Sequence, residues 1–278
     1  MRWRRRFTGS GRTDPVKTVG LIGGMSWEST VPYYREINRC VARRLGGYHS
    51  ARLVLWSVDF HDLEAAASSD RWEDVGRILA DVARRVETAG ADLLVLCTNT
   101  MHRVADVIEA AVDIPLLHIA DAVAAEVLDE GMRTVGLLGT RFTMEEDFYR
   151  NRLVDLHGLE VLVPPPDDRA IVDRTIFEEL VHGVVRDGSR GTFRAVIRRL
   201  VERGAAGVIL GCTEIGMLVQ PDDVTVPVFD SAVIHARHAA EVALGGEGAA
   251  PAPTLRPPPL RATGPKAPRG PRAEPGAS

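Results

Sequence analysis

The chain has 278 residues, 45% of them hydrophobic and 26% charged, with a formal net charge of −4. This is the composition of a globular protein able to bury a large core in one or two domains, and no apolar run is long enough to span a bilayer. Three cysteines argue against a disulfide framework and for a reducing, cytoplasmic setting.

Charge is unevenly placed along the chain. Residues 1–17 hold six basic side chains against one acidic, and residues 246–278 five against two, which leaves −12 on the body between them. A body this acidic is a poor partner for nucleic acid. The basic start, Met1-Arg-Trp-Arg-Arg-Arg6, lacks the apolar segment of a secretory signal, so residues 1–16 read as a disordered extension. Residues 246–278 contain nine of the 17 prolines without a hydrophobic period and read as a disordered tail.

Within the body, Thr18-Val-Gly-Leu-Ile-Gly-Gly24 reads as a strand ending in a glycine turn. Ser26 is placed to cap a helix with apolar residues at Val31, Tyr34 and Ile37. The full G-x-G-x-x-G spacing of a dinucleotide site is missing, and the turn better suits a small anion at a helix start. Residues 52–59 read as a second strand with Phe60 and His61 at its tip, followed by a helix through Trp72, Val75, Ile78, Leu79 and Val82. From Gly90 a short apolar strand runs into Cys97-Thr98-Asn99-Thr100, and helical spacing resumes at Val104, Val107 and Ile108. A strand over 114–117 ends near His118, and a helix through Ala122, Val123 and Val127 leads onward. Strand 134–138, helix 144–156, strand 159–163 and helices around 171–183 and 190–203 follow. Strand 207–211 ends at Cys212-Thr213-Glu214, and strand 226–229 with helix 231–244 closes the body. Strict alternation of strand and helix predicts α/β architecture with doubly wound parallel sheets, whose ligands bind at the carboxyl strand ends.

The pattern occurs twice. Thr18 matches Thr134 at an offset of 116, Cys97 matches Cys212 at 115, and Pro115 matches Pro227 at 112. An internal duplication follows, giving two pseudo-symmetric lobes with the active site between them. The first lobe spans residues 17–117 plus 230–245, and the second spans 118–229.

Two cysteines at matching tips have four readings. Inert core thiols are the default on an apolar strand, but both lie at the strand end and both precede a threonine. A disulfide does not suit a cytoplasmic protein, and no CxxC or Cys/His cluster supports a metal. The remaining reading is a catalytic pair, one thiol on each face of a substrate, moving a proton from one side of a carbon to the other. A thiol near a helix N-terminus has a lowered pKa, so one member is expected as thiolate near neutrality. Thr98, Asn99, Thr100 and Thr213 would then surround the developing enolate-like charge.

The segments Val19-Gly-Leu-Ile-Gly-Gly-Met-Ser-Trp-Glu-Ser-Thr30, Leu96-Cys-Thr-Asn-Thr-Met-His102 and Gly211-Cys-Thr-Glu-Ile215 resemble the aspartate/glutamate racemase family, over roughly residues 17 to 244. The resemblance implies a cofactor-independent homodimer acting on a small amino acid; charge, hydropathy and the missing metal-ligand spacing add the expectation of no nucleic-acid or membrane partner and no metal. It implies that Cys97 and Cys212 are catalytic acid and base, and that Thr98, Asn99, Thr100 and Met25 bind substrate. Thr213 and Glu214 join that group. Glu214 reads as orienting Cys212 or binding the substrate ammonium, and equally as a helix-capping residue. Asp59, His61, His102 and His118 sit near predicted tips and read as surface or capping residues, with a base-orienting role as the alternative, and Cys40 reads as packing.

Members specific for aspartate carry an arginine where this chain reads Ser57-Val-Asp-Phe-His-Asp-Leu-Glu64, and a lysine where it has Val181. Losing two cations from a small pocket weakens the hold on a second carboxylate. The chain therefore more closely resembles the branch of broad-specificity amino-acid racemases. Related cysteine-pair enzymes, such as hydantoin racemases, decarboxylases and maleate isomerases, and a non-catalytic small-acid binder are the alternatives.

Overall fold

The computed structural model describes residues 16–245, so the expected extension (but for its last residue) and tail lie outside the described residues. Strand β1 (Thr18–Gly23) leads into α1 (Trp27–Leu45), β2 (Arg52–Ser57), α2 (Phe60–Ser68), α3 (Trp72–Thr88), β3 (Leu93–Leu96), α4 (Ala105–Glu109) and β4 (Leu116–Leu117). These strands form a parallel sheet in the order β2-β1-β3-β4. Helix α5 (Ile119–Asp129) carries the chain to β5 (Thr134–Gly139), α6 (Arg141–Glu145), α7 (Asp147–Asn151), β6 (Glu160–Leu162), α8 (Pro166–Glu178) and α9 (Asp187–Glu202). Then come β7 (Gly207–Gly211), α10 (Ile215–Leu218), β8 (Val228–Asp230) and α11 (Ser231–Ala243). The second sheet has the order β6-β5-β7-β8, again all parallel. The duplication seen in the sequence is thus repeated strand for strand. No helix among the described residues is long and apolar enough to cross a membrane.

Each central strand is covered on both faces, which explains its near-continuous apolar run. In the first sheet Val19, Leu21, Leu93 and Val95 pack on Tyr33, Ile37 and Val41 of α1 and on Ala232, Ala236 and Ala239 of α11. Ile22, Leu94 and Leu96 face Val75, Leu79 and Val82 of α3. In the second sheet Val135, Leu137 and Ile209 meet α5 through Ala120, Val123 and Val127. Leu138, Val208 and Leu210 meet α8 and α9 through Val172, Ile176, Phe193 and Val196. The alanine stripe of α11 lets that helix pack closely on the first lobe after the chain has completed the second.

Three expectations change. The buried stripe of α1 runs through Tyr33, Ile37 and Val41, while Val31 and Tyr34 are 45% and 54% exposed. Phe60 and His61 are not a strand tip but the start of α2, capped by the Asp59 carboxylate, which accepts from the His61 N–H at 3.0 Å. The helix expected over 144–156 is broken, because Glu146 leaves the helical region between α6 and α7, and its carboxylate accepts from Arg103 of the first lobe at 2.6 Å.

The glycine turn after β1 is sterically fixed. Gly24 has φ +94°, and a Cβ there would lie 2.2 Å from the Val58 carbonyl oxygen and 2.7 Å from the Val58 nitrogen. Both obstacles are backbone, so neither swings away. Gly24→Ala is expected to lower the unfolding free energy by about 2 kcal/mol or more, read as a shift in denaturant midpoint. A midpoint within error of wild type would show that the turn relaxes freely.

Candidate active site

Both Cys-Thr tips emerge at the carboxyl ends of their central strands, at a cleft between the two sheets. Its lining comes from both lobes: Met25, Phe60, Glu64, Ala67 and residues 98–101 from the first, and Thr140, Phe142, Ile176, Phe177, Val181 and residues 211–214 from the second. Met25, Thr98, Asn99, Thr100, Thr213 and Glu214 are all among them.

The two cysteines reach it unequally. Cys212 lines the cleft, whereas Cys97 is fully buried beside Val19, Leu21, Tyr33 and Ala232, behind the tip residues that do line it. The cause is one residue of slip. Cys97 lies seven positions after Gly90, but Cys212 lies eight after Gly204. Leu21 pairs with Val95 and Leu137 with Ile209, so the sheet matches Cys97 to Gly211. One residue along a strand turns the side chain to the other face. Cys97 therefore shares the α1/α11 side with Leu93 and Val95, and Cys212 shares the α8/α9 side with Val208 and Leu210. The tips still converge, since Thr98, Asn99 and Thr100 of the first and Cys212, Thr213 and Glu214 of the second line the same cleft.

Neither thiol has the lowered pKa expected from a helix start. Burial pushes both up, and the Glu214 carboxylate adds to the rise at Cys212. The helix starts do not offset desolvation: the 3₁₀ segment that runs into α4 begins at Thr100, three residues past Cys97, and α10 has only four residues.

Ser26 stands at the start of α1 without capping it. Its hydroxyl instead crosses to the second lobe and donates to Glu214 Oε1 at 2.9 Å. A second bridge joins the Thr100 and Thr140 hydroxyls at 2.9 Å. Thr140 was not anticipated as a site residue, although the repeat offset of 116 places it opposite Gly24, at a strand tip. Asn99 has a determined orientation. The Ser231 hydroxyl donates to the Leu210 carbonyl at 2.7 Å, so it accepts from Asn99 Nδ2 at 3.0 Å. That leaves Asn99 Oδ1 buried with no partner, an acceptor waiting for a donor.

Beneath the first tip lie three buried histidines. The Ile119 N–H donates to His102 Nε2 at 3.3 Å, so Nδ1–H donates to the Thr98 carbonyl at 2.7 Å. His235 donates through Nε2 to the Leu117 carbonyl and accepts from the Tyr33 hydroxyl at Nδ1. His118 caps α5, accepting from the Ala120 N–H, and its ring centroid lies 4.4 Å from that of His102. Burial lowers all three pKa values, to about 4 for His102 and about 3 for His235, so each is neutral at pH 7. His102 is thus a support for the backbone that follows Cys97. Asp59 caps α2, His61 is exposed, and Cys40 is half-buried near Glu36 and Arg43, away from the cleft. Among the described residues no cluster of His, Cys, Asp and Glu is placed to hold a metal ion.

The model of one protein family, described as Asp/Glu/hydantoin racemase, matches residues 22–239. Broad-specificity amino-acid racemase RacX of Bacillus subtilis is 21% identical over 225 residues, covering 79% of this chain and 95% of RacX. A solved Yersinia pestis protein assigned to the Asp/Glu racemases is 52% identical with a TM-score of 0.77, covering 82% of this chain and 99% of that one. An aspartate racemase homologue from Pyrococcus horikoshii OT3 is 38% identical with a TM-score of 0.72, at the same coverage of 82% and 99%. With sequence, fold and cleft in agreement, this chain belongs to the Asp/Glu/hydantoin racemase family.

Proposed function

We propose that this protein is a cofactor-independent amino-acid racemase that moves the α-proton between the two faces of Cα with Cys97 and Cys212, and that its substrates carry neutral side chains. The observation that carries the reading is the convergence of two Cys-Thr tips, one from each lobe, on one cleft. One thiolate removes the proton, and the opposite thiol supplies another to the far face. The Thr98 hydroxyl, the free hydroxyl proton of the Thr100–Thr140 pair and the tip N–H groups suit the substrate carboxylate, whose negative charge grows in the transition state. Asn99 Oδ1 suits the α-ammonium, which supplies the donor that oxygen lacks. The transfer requires Cys97 Sγ, which is fully buried outside the lining, to reach Cα when substrate fills the cleft.

Specificity follows from the far wall. Phe60, Ala67, Phe142, Ile176, Phe177 and Val181 line it together with Glu64 and Ser68, and among the described residues no Arg, Lys or His lines the cleft. A second carboxylate would be desolvated there without a partner, at a cost of several kcal/mol. Each enantiomer of alanine, serine, methionine and aspartate, incubated with the protein in deuterated water, tests the proposal. Neutral amino acids are expected to exchange and racemise at least as fast as aspartate. Turnover of aspartate alone would overturn the specificity, and exchange of none would overturn the activity.

A further inference from the structure

Phe142 stands in the wall of two hollows at once. One is the cleft already described, which it lines beside Ala67 and Ser68. The other is a polar hollow that shares those three residues and adds Asp70, Arg141, Glu145 and Glu146. Phe142 comes from the second lobe and Ala67 and Ser68 from the first, so the partition is assembled across the lobes.

Helix α6, which carries Phe142, is tied to the first lobe at both ends. At its start Thr140 caps it, accepting from the Thr143 N–H at 3.3 Å, and shares a 2.9 Å hydrogen bond with the Thr100 hydroxyl. Just past its end Glu146 accepts from Arg103 at 2.6 Å. The same Arg103 lies over Trp72, with Cζ 4.2 Å from the ring centroid. Trp72 in turn meets Phe142 edge to face, at 5.3 Å between centroids and 78° between planes. A cation over an indole and an edge-to-face aromatic pair fix orientation as well as distance. Trp72 is buried, and its Nε1–H has no hydrogen-bond partner among the described residues, so packing sets where the indole stands. The chain Glu146–Arg103–Trp72–Phe142 thus holds the phenyl ring across the space between the two hollows.

We propose that Phe142 is the specificity-determining residue that limits substrate side-chain length, and that Trp72, Arg103 and Glu146 are the positioning residues that hold it there. The proposal rests on the racemase reading of the same cleft. A short side chain stops before the ring, whereas a long one growing toward the far wall runs into it. Without the ring the cleft joins the polar hollow, and a long side chain extends through the opening. Arg103, Trp72 and Glu146 line no part of the cleft, so they act on the substrate only through Phe142.

The test compares phenylalanine with the fastest of alanine, serine, methionine and aspartate, as kcat/KM for racemisation by the full chain. The proteins are wild type, Phe142→Ala, Arg103→Met and Glu146→Gln. Wild type is expected to favour the short reference by about 100-fold or more, and Phe142→Ala to raise the phenylalanine-to-reference ratio by a similar factor. Arg103→Met and Glu146→Gln should keep kcat/KM for the reference within about threefold and raise the ratio by about fivefold or more. A merely structural role would lower both substrates together and leave the ratio where it was. Wild-type turnover of phenylalanine as fast as the reference overturns the proposal. So does an unmoved ratio, whether in Phe142→Ala or in both of the other variants. Should Phe142→Ala not fold, Phe142→Leu takes its place, with a ratio raised by about tenfold supporting the proposal and an unmoved ratio overturning it. Turnover of the reference with an unmoved ratio removes this proposal only, and absence of turnover for every amino acid removes the racemase reading with it.

Discussion

Cys97→Ser and Cys212→Ser are each expected to lose at least about three orders of magnitude in racemisation, while Cys40→Ser stays close to wild type. A serine hydroxyl is too weakly acidic to serve as base near neutral pH, and inversion at Cα needs both positions. Exchange of the α-hydrogen needs only one base, so it survives in each mutant for one enantiomer. The two mutants should therefore show opposite enantiomer preferences in deuterium wash-in. The contrast with Cys40 matters because that thiol is half-buried beside Glu36 and Arg43, outside the cleft. Wild-type racemisation by Cys97→Ser would end the two-thiol mechanism, whatever became of Cys212.

The second large effect is on stability, and acid should reveal it. His102, His118 and His235 are buried neutral, with pKa values lowered to about 4 for His102 and about 3 for His235, and well below the usual range for His118. In the unfolded chain each titrates near 6.5, so between that pH and about 4 the unfolded state binds more protons than the folded one. Their contribution is therefore fully present above pH 6.5 and is lost as pH falls. Three protons give a slope of roughly 4 kcal/mol per pH unit at most, enough to unfold a marginal domain by pH 5. Denaturant midpoints should be flat from pH 8 to 7 and drop steeply below 6.5. Asp121 does not confuse the window. Burial alone would raise its carboxyl, but hydrogen bonds from Arg152 and His157 outweigh that and hold it well below the usual range, so it titrates in stronger acid. His118→Asn, which keeps a capping side chain, should remove about one proton from the slope. Midpoints unchanged down to pH 5 would mean that the cluster admits water and charges without cost.

Much of this was legible in the chain. The alternation of apolar strands and helical spacing gave two parallel sheets, and the repeated Thr-Val-Gly-Leu and Gly-Ala segments paired their central strands. The tips at Cys97 and Cys212 announced the cleft because a cysteine at a strand end followed by threonine is hard to explain as core. What stayed hidden depended on tertiary context. Ser26 has the residue type and position of a helix cap, yet its hydroxyl bonds a carboxylate 188 positions away. The helix starting at Phe60 was masked by a β-rich run just before it, and only the Asp59 cap marks its beginning. The wall formed by Phe142 and Phe177 has no local signature, because its meaning comes from facing Phe60 and Ala67 across the lobes. The slip between the tips was visible in the spacing from Gly90 and Gly204, but matching the cysteines directly concealed it.

That slip limits how such a protein can arise from a half-sized ancestor. A dimer of two identical first lobes would point both sulfurs into the hydrocarbon beside their own α1 helices, and a dimer of two second lobes would send both to the opposite layer. Neither symmetric pair offers the arrangement seen here, in which one sulfur comes from each layer. A single inserted codon between the Gly-Ala turn and the cysteine makes the difference. Fusing the halves into one gene permits that insertion in one copy alone, which a homodimer of half-length chains cannot do.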